Sequence, residues 1–510
     1  MARARLIKST GVISAATAIS RILGFVRDIV IASLFGTSPA AQSFFVAFRI
    51  PNSLRDLVGE GAMNSAIVPV LTDYKTRGEE KEFLHVSRVL FNISLVSLSV
   101  LTLLGIIFSP FIVRIIAPGF IRDNTTFNLT VMLNRIIFPY LILIGLTAYT
   151  MGILNTLHHF AAPAFGPCLL NIAMIGSAVL LCPRMGIAGL VIGVLIGGIL
   201  QLSLNMAVMR KKGLTIDFND GLKSSAVKKI GVLMAPRAFG SAIYQANIFV
   251  DTILASLAWV VGEGGVAALY YANRLIQFPL AIFGLAIAQA TLPRMSQEFS
   301  VNDLGKLKQT LSLALRGTFL VMLPASVGLA ILGTPIIKIL FQRGEFSSYS
   351  TSITQSALFY YAFGMWAYSG VKLLTTCFYS MQDTKTPVKM ALFALMVNVV
   401  LNLILMWPMK LGGLALATSI SATLNFIILY NILKNRIGRL GTREIAASFS
   451  KILLASLIMG IVLKFLSAYS FSIRGLIISI AAGIMVFIIS AYILKVKEIK
   501  YIFTWISKRR

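Results

Sequence analysis

Long apolar runs separated by short polar loops constrain the fold of this 510-residue chain more than any other feature. Each run reaches the roughly 20 residues that an α-helix needs to cross a hydrocarbon layer of about 30 Å. Strands of a membrane barrel would be about 10 residues long and strictly alternating, so the runs predict helices. The fourteen predicted spans lie near 9–36, 42–73, 84–114, 127–155, 161–182, 187–209, 225–260, 265–294, 306–334, 350–380, 387–408, 412–433, 446–468 and 474–495.

The composition points to the same class, an all-α polytopic membrane protein. Hydrophobic residues make up 57% of the chain and charged residues 13%, and the mean hydropathy is +0.85. Soluble domains are about 45–50% apolar and about 25% charged, so the composition excludes a soluble enzyme and a disordered chain. The three cysteines and three histidines show no ligand spacing, so neither a disulfide framework nor a zinc site is expected.

The charges are distributed unevenly between the loops. Lys and Arg number 46 against 18 Asp and Glu, a net charge of +28. In a soluble protein this excess would indicate nucleic acid, but here the positive-inside rule accounts for it and no nucleic-acid partner is expected. The Lys and Arg residues of one set of alternate loops are Arg122, Arg184, Arg343 and Lys410. The other set of loops, together with the two termini, carries many more Lys and Arg residues. Both termini are therefore predicted to be cytoplasmic, with the first run retained as a helix rather than cleaved as a signal peptide.

The two halves of the chain repeat at an offset near 224 residues. The segment DIVIASL at 28–34 matches DTILASL at 251–257, and MGIAGL at 185–190 matches MKLGGL at 409–414. Pro163 likewise matches Pro387. Four such matches occur in order at one offset, the fourth being AIVP at 66–69 with ATLP at 290–293.

The repeat predicts the domain organisation. Six spans per repeat is an even number, so both copies insert with the same orientation, an arrangement known among secondary transporters. We expect an N-lobe at 1–215 and a C-lobe at 216–436 around a central cavity. Residues 437–510 have no counterpart and add two helices to the core of six plus six.

Charged side chains inside the first, second and eighth spans are the main candidates for a binding site. Ionisable residues are costly within a membrane and mark functional sites by default. Five arginines face three carboxylates in the first two spans and the eighth, which leaves a positive surplus. These candidates are Arg21, Arg27 and Asp28, then Arg49, Arg55, Asp56 and Glu60, and finally Arg274.

The surplus predicts a water-filled cationic cavity that accepts an anion. Arginine stays charged at any depth and binds phosphate through two parallel hydrogen bonds, so a phosphate or diphosphate is the most natural ligand. Two structural alternatives remain open. The charges could form a salt-bridge network, for example through Asp28, which shares a helix face with Arg21. Arg27 and Arg49 could instead reach outward to the membrane interface.

The second repeat carries a different set of polar residues. Asp251 stands where the first repeat has Asp28, and the eleventh and twelfth spans contribute Asn398, Asn402 and Thr418. Carboxylate, amide and hydroxyl oxygens are hard ligands that suit an alkali cation. Hydrogen bonding between helices is the alternative interpretation of the two amides.

Several local motifs resemble the MurJ (MviN) family of the MOP exporter superfamily. The two most specific are SRILGFVRD at 20–28 and RIPNSLR at 49–55. The similarity extends over nearly all predicted spans. It includes GEGAM at 59–63, LNT at 154–156, PAFGP at 163–167, YYANR at 270–274, QRGEF at 342–346 and QDTKTP at 382–387.

The resemblance implies a function without covalent chemistry. MurJ proteins flip lipid II, the undecaprenyl-diphosphate-linked peptidoglycan precursor, from the inner to the outer leaflet of the bacterial cytoplasmic membrane. By resemblance the protein would work as a monomer, by alternating access, with lipid II and membrane lipids as partners, and other cell-wall synthesis proteins beside them. The two last helices would form a groove for the lipid tail.

The resemblance also implies residue roles. It assigns the diphosphate and headgroup cavity to Arg21, Arg27, Asp28, Arg49, Asn52, Arg55, Glu60 and Arg274. Some relatives bind Na⁺ as a coupling ion through residues that match Asp251, Asn398, Asn402, the Leu414 carbonyl and Thr418. No other cofactor is expected.

This chain departs from the family pattern at several positions. Many relatives have acidic residues where Gln42, Asn273 and Gln277 stand here, so the cavity is expected to be less acidic. Asn402 replaces an aspartate of the sodium-binding relatives, which removes one charge from that site.

Two other classes of protein remain as alternatives. One is another transporter of the same superfamily, either a lipid-linked oligosaccharide flippase or a cation-coupled drug exporter; the exporter would line its cavity with carboxylates and aromatics. The other is a membrane enzyme such as a polyprenyl-phosphate transferase. That chemistry needs clustered aspartates for Mg²⁺, whereas the carboxylates predicted inside these spans are scattered.

Overall fold

The computed structural model describes residues 2–55, 64–214, 217 and 225–499. For some helical residues, Arg55 among them, only the backbone is described. Within these ranges every regular element is helical and no strand occurs. The prediction of an all-α membrane protein is confirmed.

The chain forms two compact units, which we call unit 1 (Met1–Ser256) and unit 2 (Leu257–Arg510). Unit 1 contains α1 Ala2–Phe35, α2 Pro39–Arg55, α3 Asn64–Thr76, α4 Glu80–Ile107, α5 Ser109–Ile116, α6 Asn124–Ile137, α7 Tyr140–Thr156, α8 Ala161–Leu180, α9 Cys182–Met185, α10 Ile187–Lys211 and α11 Ser225–Ala255. A 3₁₀ turn at Pro118–Arg122 joins α5 to α6. The compact unit thus includes α11, because α11 packs against α3, α4 and α5. The repeat boundary expected at 215/216 stays a prediction.

Unit 2 consists of the remaining helices. They are α12 Ala258–Val261, α13 Gly265–Pro279, α14 Leu285–Ser300, α15 Leu304–Phe341, α16 Ser348–Ser380, α17 Lys385–Ile437, α18 Thr442–Leu466 and α19 Ile473–Ile493. A π-helical turn at Leu280–Gly284 follows Pro279 and joins α13 to α14. Such π-turns often occur near functional sites, and this one begins about two helical turns beyond Arg274.

Nine helices among the described residues are long and apolar enough to cross a membrane. Three of the predicted spans do not correspond to one helix each. The fourth span is α6 and α7 with a break near Pro139, and the eleventh and twelfth spans are the two arms of α17. At 53 residues α17 would be about 80 Å long if straight, and Lys410 interrupts it. The number fourteen itself stays a prediction.

Close packing explains the glycines that follow this interruption. Lys410 has φ 52° and ψ −132°, so the second arm of α17 turns back along the first. A Cβ atom at Gly413 would lie 2.2 Å from the Leu405 carbonyl oxygen. Real Cβ atoms do not approach backbone so closely, so the turn requires glycine there.

Backbone geometry supports the internal repeat independently of side-chain identity. Residues in the left-handed region recur at an offset of 224 at three turns. The pairs are Gly78 with Asn302 (φ 75° and 56°), His158 with Gln382 (55° and 60°), and Gly186 with Lys410 (57° and 52°). The third pair also agrees in ψ, at −144° and −132°. Two of these pairs contain one glycine each, and the third contains none. The turn geometry is therefore shared although the residues differ.

Each unit has its own apolar core. In unit 1 the core joins α3, α4, α7 and α10, with Leu71, Tyr149 and Ile153 almost completely buried. In unit 2, Phe319, Trp366, Phe426 and Phe449 form an aromatic cluster that joins α15, α16, α17 and α18, with ring centroids 5.1–6.1 Å apart. The first of the two additional helices is therefore packed into the core of unit 2.

Candidate functional site

Arg27 on α1 is more deeply buried than Arg21, Arg49 and Arg274, the other candidate arginines whose side chains are described. Its Nε and Nη2 donate to Asp28 Oδ1 at 3.0 and 2.7 Å, and its Nη1 donates to Asn171 Oδ1 at 3.0 Å. Asp28 is fully buried. Asn171 lies on α8, so the ion pair and the amide link α1 to α8. Arg27 and Asp28 thus form a salt bridge within unit 1, as one of the two structural alternatives predicts.

Arg21 lies on a different face of the same helix. Its side chain is exposed in unit 1, whereas Arg27 is buried. Two residues six positions apart point about 120° apart on an ideal helix, and α1 continues through Gly24 between them. Asn171 Nδ2 donates to the carbonyl of Ser20 at 3.1 Å, so α8 also holds the backbone beside Arg21.

Arg49 links α2 to α11. Its Nη1 donates to the Thr252 hydroxyl and to the Ile248 carbonyl. The Thr252 hydroxyl in turn donates to the Ile248 carbonyl at 2.6 Å. A half-buried guanidinium therefore contacts the helix that carries Asp251, which is itself buried.

The remaining candidates of unit 1 lie on α2 and beyond it. Asn52 is half-buried, next to the buried Pro51. The side chain of Arg55 and the whole of Asp56 and Glu60 lie outside the described residues. Their assignment to the headgroup cavity stays a prediction.

Arg274 is the candidate arginine of unit 2. It is half-buried on α13, and Gln277 Nε2 donates to Asn273 Oδ1 at 2.6 Å beside it. These two amides stand where many relatives are expected to have acids, and they contact each other one helical turn apart. Because unit 1 and unit 2 are described separately, a common cavity for the arginines stays a prediction.

Four of the five predicted sodium ligands come together in unit 2. Asn402 Nδ2 donates to Asn398 Oδ1 at 2.8 Å, Asn398 Nδ2 donates to Thr418 Oγ1 at 3.2 Å, and Thr418 Oγ1 donates to the Leu414 carbonyl at 3.0 Å. This chain of hydrogen bonds joins the two arms of α17. The two amides therefore take part in hydrogen bonding between helical segments, as the alternative interpretation predicts.

The oxygens of these residues are of the hard type that an alkali cation accepts, and a cation site there stays a prediction. An amide oxygen has two lone pairs, so Asn398 Oδ1 keeps acceptor capacity beyond the hydrogen bond that it accepts from Asn402. The Leu414 carbonyl accepts from the Thr418 hydroxyl within helix α17. Both amides and Leu414 are fully buried. The fifth ligand, Asp251, belongs to unit 1, and its participation stays a prediction.

The QDTKTP motif forms the turn between α16 and α17. Asp383 Oδ1 accepts hydrogen bonds from the backbone NH groups of Lys385 and Thr386, both at 3.0 Å, and Oδ2 accepts one from the Thr386 hydroxyl at 2.6 Å. Arg436, at the far end of α17, donates to Oδ2 as well. Burial alone would raise the pKa of Asp383, but the Thr386 hydrogen bonds and the Arg436 guanidinium outweigh it and lower the pKa to about 2.

Comparison with known proteins identifies the family. The family model described as lipid II flippase MurJ matches residues 31–486. The chain belongs to the MurJ family. A probable lipid II flippase MurJ of Vibrio cholerae is 38% identical over 435 residues, which cover 84% of this chain and 82% of that protein.

Solved structures agree with the MurJ assignment. A structure titled lipid II flippase MurJ, inward closed conformation, matches with a TM-score of 0.81 at 30% identity and covers 94% of this chain and 98% of that one. An inward-facing multidrug transporter of the MATE family, in the MOP superfamily, matches with a TM-score of 0.72 at 16% identity. That match covers 83% of this chain and 96% of the other, and it shows a shared fold. The predicted membership of the MurJ family is confirmed.

Sequence reasoning missed the neutral partners of the arginines. Asn171 is the single amide in the apolar helix α8, and Thr252 directly follows Asp251. An amide in an otherwise apolar span is a usable signal, because a buried polar group needs a hydrogen-bond partner. Its partner, Arg27, is 144 positions away in the sequence, and no local spacing rule connects the two.

Proposed function

We propose that the protein is a transporter that flips lipid II from the inner to the outer leaflet of the bacterial cytoplasmic membrane. Membership of the MurJ family, shown over residues 31–486, carries this proposal. The multi-pass helical fold and the arginines of the first two spans support it. The protein would work as a monomer with both termini in the cytoplasm, and no bond of the substrate would be made or broken.

Arginine is the side chain that this substrate requires. A diphosphate carries its charge into a layer of low dielectric, where an uncompensated anion is strongly destabilised. Guanidinium groups neutralise it and donate two parallel hydrogen bonds. We propose that Arg21, Arg55 and Arg274 hold the diphosphate, and that the lobes rock about this site to expose it to each side in turn.

We assign a different task to Arg27, Asp28 and Asn171. Arg27 and Asp28 neutralise each other, and Asn171 contacts both Arg27 and the backbone beside Arg21. These three residues position α1 on α8. The exposed Arg21 side chain then points from a fixed helix, which lowers the entropy lost when it binds a phosphate.

Complementation tests the proposal. A bacterial strain depleted of its own lipid II flippase would express wild type, Arg21→Ala, Arg55→Ala or Arg274→Ala, with protein levels measured by blotting. We expect growth with wild type and its loss with each variant at normal protein level. Lysine at the same positions should rescue in part, because it keeps the charge and lacks the planar fork.

Arg184→Ala is the matched control, since Arg184 is exposed on a predicted outer loop and should leave growth unchanged. Full growth with all three alanine variants at normal level would refute the diphosphate assignment. Failure of the wild-type protein to support growth, although the same strain is rescued by its own flippase, would refute lipid II as the substrate. The lipid-linked oligosaccharide alternative would then be tested in a strain that lacks such a flippase.

A further inference from the structure

An apolar pocket lies within unit 1 where α2, α4, α5 and α11 meet. Its volume is about 360 Å³, within the range of about 300–1,000 Å³ that is typical of ligand pockets. The lining is apolar apart from one serine. It consists of Ile50, Ser53, Leu54, Leu101, Leu104, Gly105, Phe108, Ile112, Phe138 and Phe249.

The floor of the pocket is built by Phe138 against the α4 backbone. A Cβ atom at Gly105 would lie 1.9 Å from Phe138 Cε1, so the ring rests directly on the glycine. The rim is formed by Leu101, Leu104 and Phe108, whose side chains are 44–53% exposed. A fixed floor and an exposed apolar rim make this a pocket that opens outward from unit 1.

The position of the pocket decides what surrounds its mouth. Helix α4 is one of the nine helices that are long and apolar enough to cross a membrane. Leu101, Leu104 and Phe108 lie in its last two turns and just beyond, and their exposed side chains would meet lipid near one end of the span. Water in such a site would find almost no polar partner, whereas a hydrocarbon chain would replace apolar contacts with apolar contacts.

One cation, Arg49, lies beside the pocket where α2 contacts α11. Arg49 precedes the lining residue Ile50 and lies one turn from Ser53 on α2. Its contacts on α11, Ile248 and Thr252, lie beside and one turn from Phe249. With the orientation proposed above, Arg49 lies on the outer side of the pocket. A lipid with its chain in the pocket would thus have its phosphate near a guanidinium.

We propose that this pocket binds one acyl chain of an anionic membrane phospholipid of the outer leaflet, with the headgroup phosphate near Arg49. The charge of Arg49 selects an anionic headgroup, and the aromatic lining accepts the chain. A phospholipid rather than a polyprenyl carrier is the occupant, because phospholipids are in large excess at the mouth and occupancy follows mass action. The bound chain fills the space between α11 and its neighbours α2 and α4, and it stabilises their spacing.

Photo-crosslinking in bilayers of defined composition tests the site. The full chain, with p-benzoylphenylalanine at position 249, would be placed in nanodiscs of phosphatidylglycerol and phosphatidylcholine in equal amounts and irradiated. We expect lipid adducts by intact mass spectrometry, with at least threefold more phosphatidylglycerol than phosphatidylcholine. The same photo-residue at position 111 is the control, because Phe111 is exposed and does not line the pocket. It should show no preference.

A pocket-filling variant provides the second measurement. Ser53→Leu places a larger apolar side chain in the pocket, and Ser97→Leu is its control on the exposed face of α4. After extensive washing in detergent, wild type and Ser97→Leu should retain phospholipid, and Ser53→Leu should lose at least two thirds of it. Arg49→Gln should abolish the preference for phosphatidylglycerol.

Several outcomes would overturn the proposal. The first is equal retention of phospholipid by Ser53→Leu and wild type at equal thermal stability. The second is equal crosslinking of both lipids at position 249. The third is recovery of a polyprenyl lipid instead of a phospholipid with protein purified from native membranes. If Ser53→Leu does not fold, the crosslinking comparison of positions 249 and 111 decides alone. None of these readouts measures flipping, so the proposal can fail while the proposed function stands, and the reverse.

Discussion

The turn at Asp383 allows a stability prediction whose size follows from the structure. Asp383 holds the first turn of α17 through two backbone NH groups and the Thr386 hydroxyl, and it pairs with Arg436 at the far end of the same helix. The carboxylate thus ties the beginning of the first arm of α17 to the end of the second. Removing it should loosen both arms at this side of unit 2.

The lowered pKa sets the magnitude. A decrease from 3.8 to about 2 corresponds to about 2 kcal/mol, since one pKa unit is about 1.4 kcal/mol. Arg436 is 47% exposed, so solvent screens its share, and we expect about 1–2 kcal/mol in total. The folded-state pKa of Asp383 lies below the unfolded value. The stabilisation is therefore present above about pH 4 and is lost as the pH falls from about 4 to about 2.

Two substitutions separate the cap from the ion pair. Asp383→Asn keeps an acceptor for the backbone NH groups and loses the charge, whereas Asp383→Ala loses both. For a unit of about 250 residues, 1 kcal/mol shifts Tm by about 2–4 °C. We expect Tm to fall by about 2–4 °C for Asp383→Asn and by about 4–8 °C for Asp383→Ala. Thermal unfolding of the purified protein in detergent at pH 7, followed by size-exclusion fluorescence, measures both.

A double-mutant cycle and a matched control make the test decisive. Combining Asp383→Asn with Arg436→Gln should give less than the sum of the single effects, because both remove the same pair. Asp303→Asn is the control. Asp303 accepts from the Lys306 backbone NH at 2.9 Å, and its ion-pair partner among the described residues is Lys306 itself, whose side chain is 69% exposed. If Asp383→Ala lowers Tm no more than Asp303→Asn, the tie between the two ends of α17 does not contribute to stability.

Two further predictions concern Gly413 on α17 and the predicted sodium ligands. Gly413→Ala should destabilise unit 2 by about 1–3 kcal/mol or prevent folding, because its Cβ would meet the Leu405 carbonyl. Gly176→Ala is the control. A Cβ there would have no atom within 4 Å, so this variant should be neutral or stabilising in the same thermal assay. Asp251→Asn should lower any sodium dependence of transport in proteoliposomes and Asn402→Asp should raise it, because each changes the charge of the predicted ion site. Transport that follows membrane potential and does not depend on sodium, in wild type and in both variants, would refute that site.

The helical architecture could be predicted from the sequence because it depends on local properties. Apolar runs of sufficient length leave a helix as the spanning structure, and turn positions follow from the residues between runs. The repeat was detectable because Pro163 and Pro387 and the apolar segments around them recur at one offset. The structure adds that Gly186 and Lys410 share the same left-handed turn, which residue identity alone does not reveal.

The site could be predicted only in part, because burial depends on contacts distant in sequence. The charges of Arg21 and Arg27 look equivalent within one motif, yet the first is exposed and the second is buried against α8. That difference arises from Asn171, whose amide is placed by the packing of α8 on α1. For Asn398 and Asn402 the sequence predicts hydrogen bonding between helices as one alternative, and the structure adds the order of donors and acceptors.

The pairing of Arg27 with Asp28 changes which cations are available to an anion, although it leaves the net charge unchanged. Asp28 is in direct contact with the Arg27 guanidinium, so a diphosphate would have to compete with this carboxylate for Arg27. Arg21 has a different environment: its side chain is exposed, and the carbonyl before it is held by Asn171. Arg27→Ala should therefore reduce protein level as well as transport, whereas Arg21→Ala should reduce transport alone. The two arginines of one motif would then have separate roles. Arg27 holds α1 on α8, and Arg21 binds the substrate.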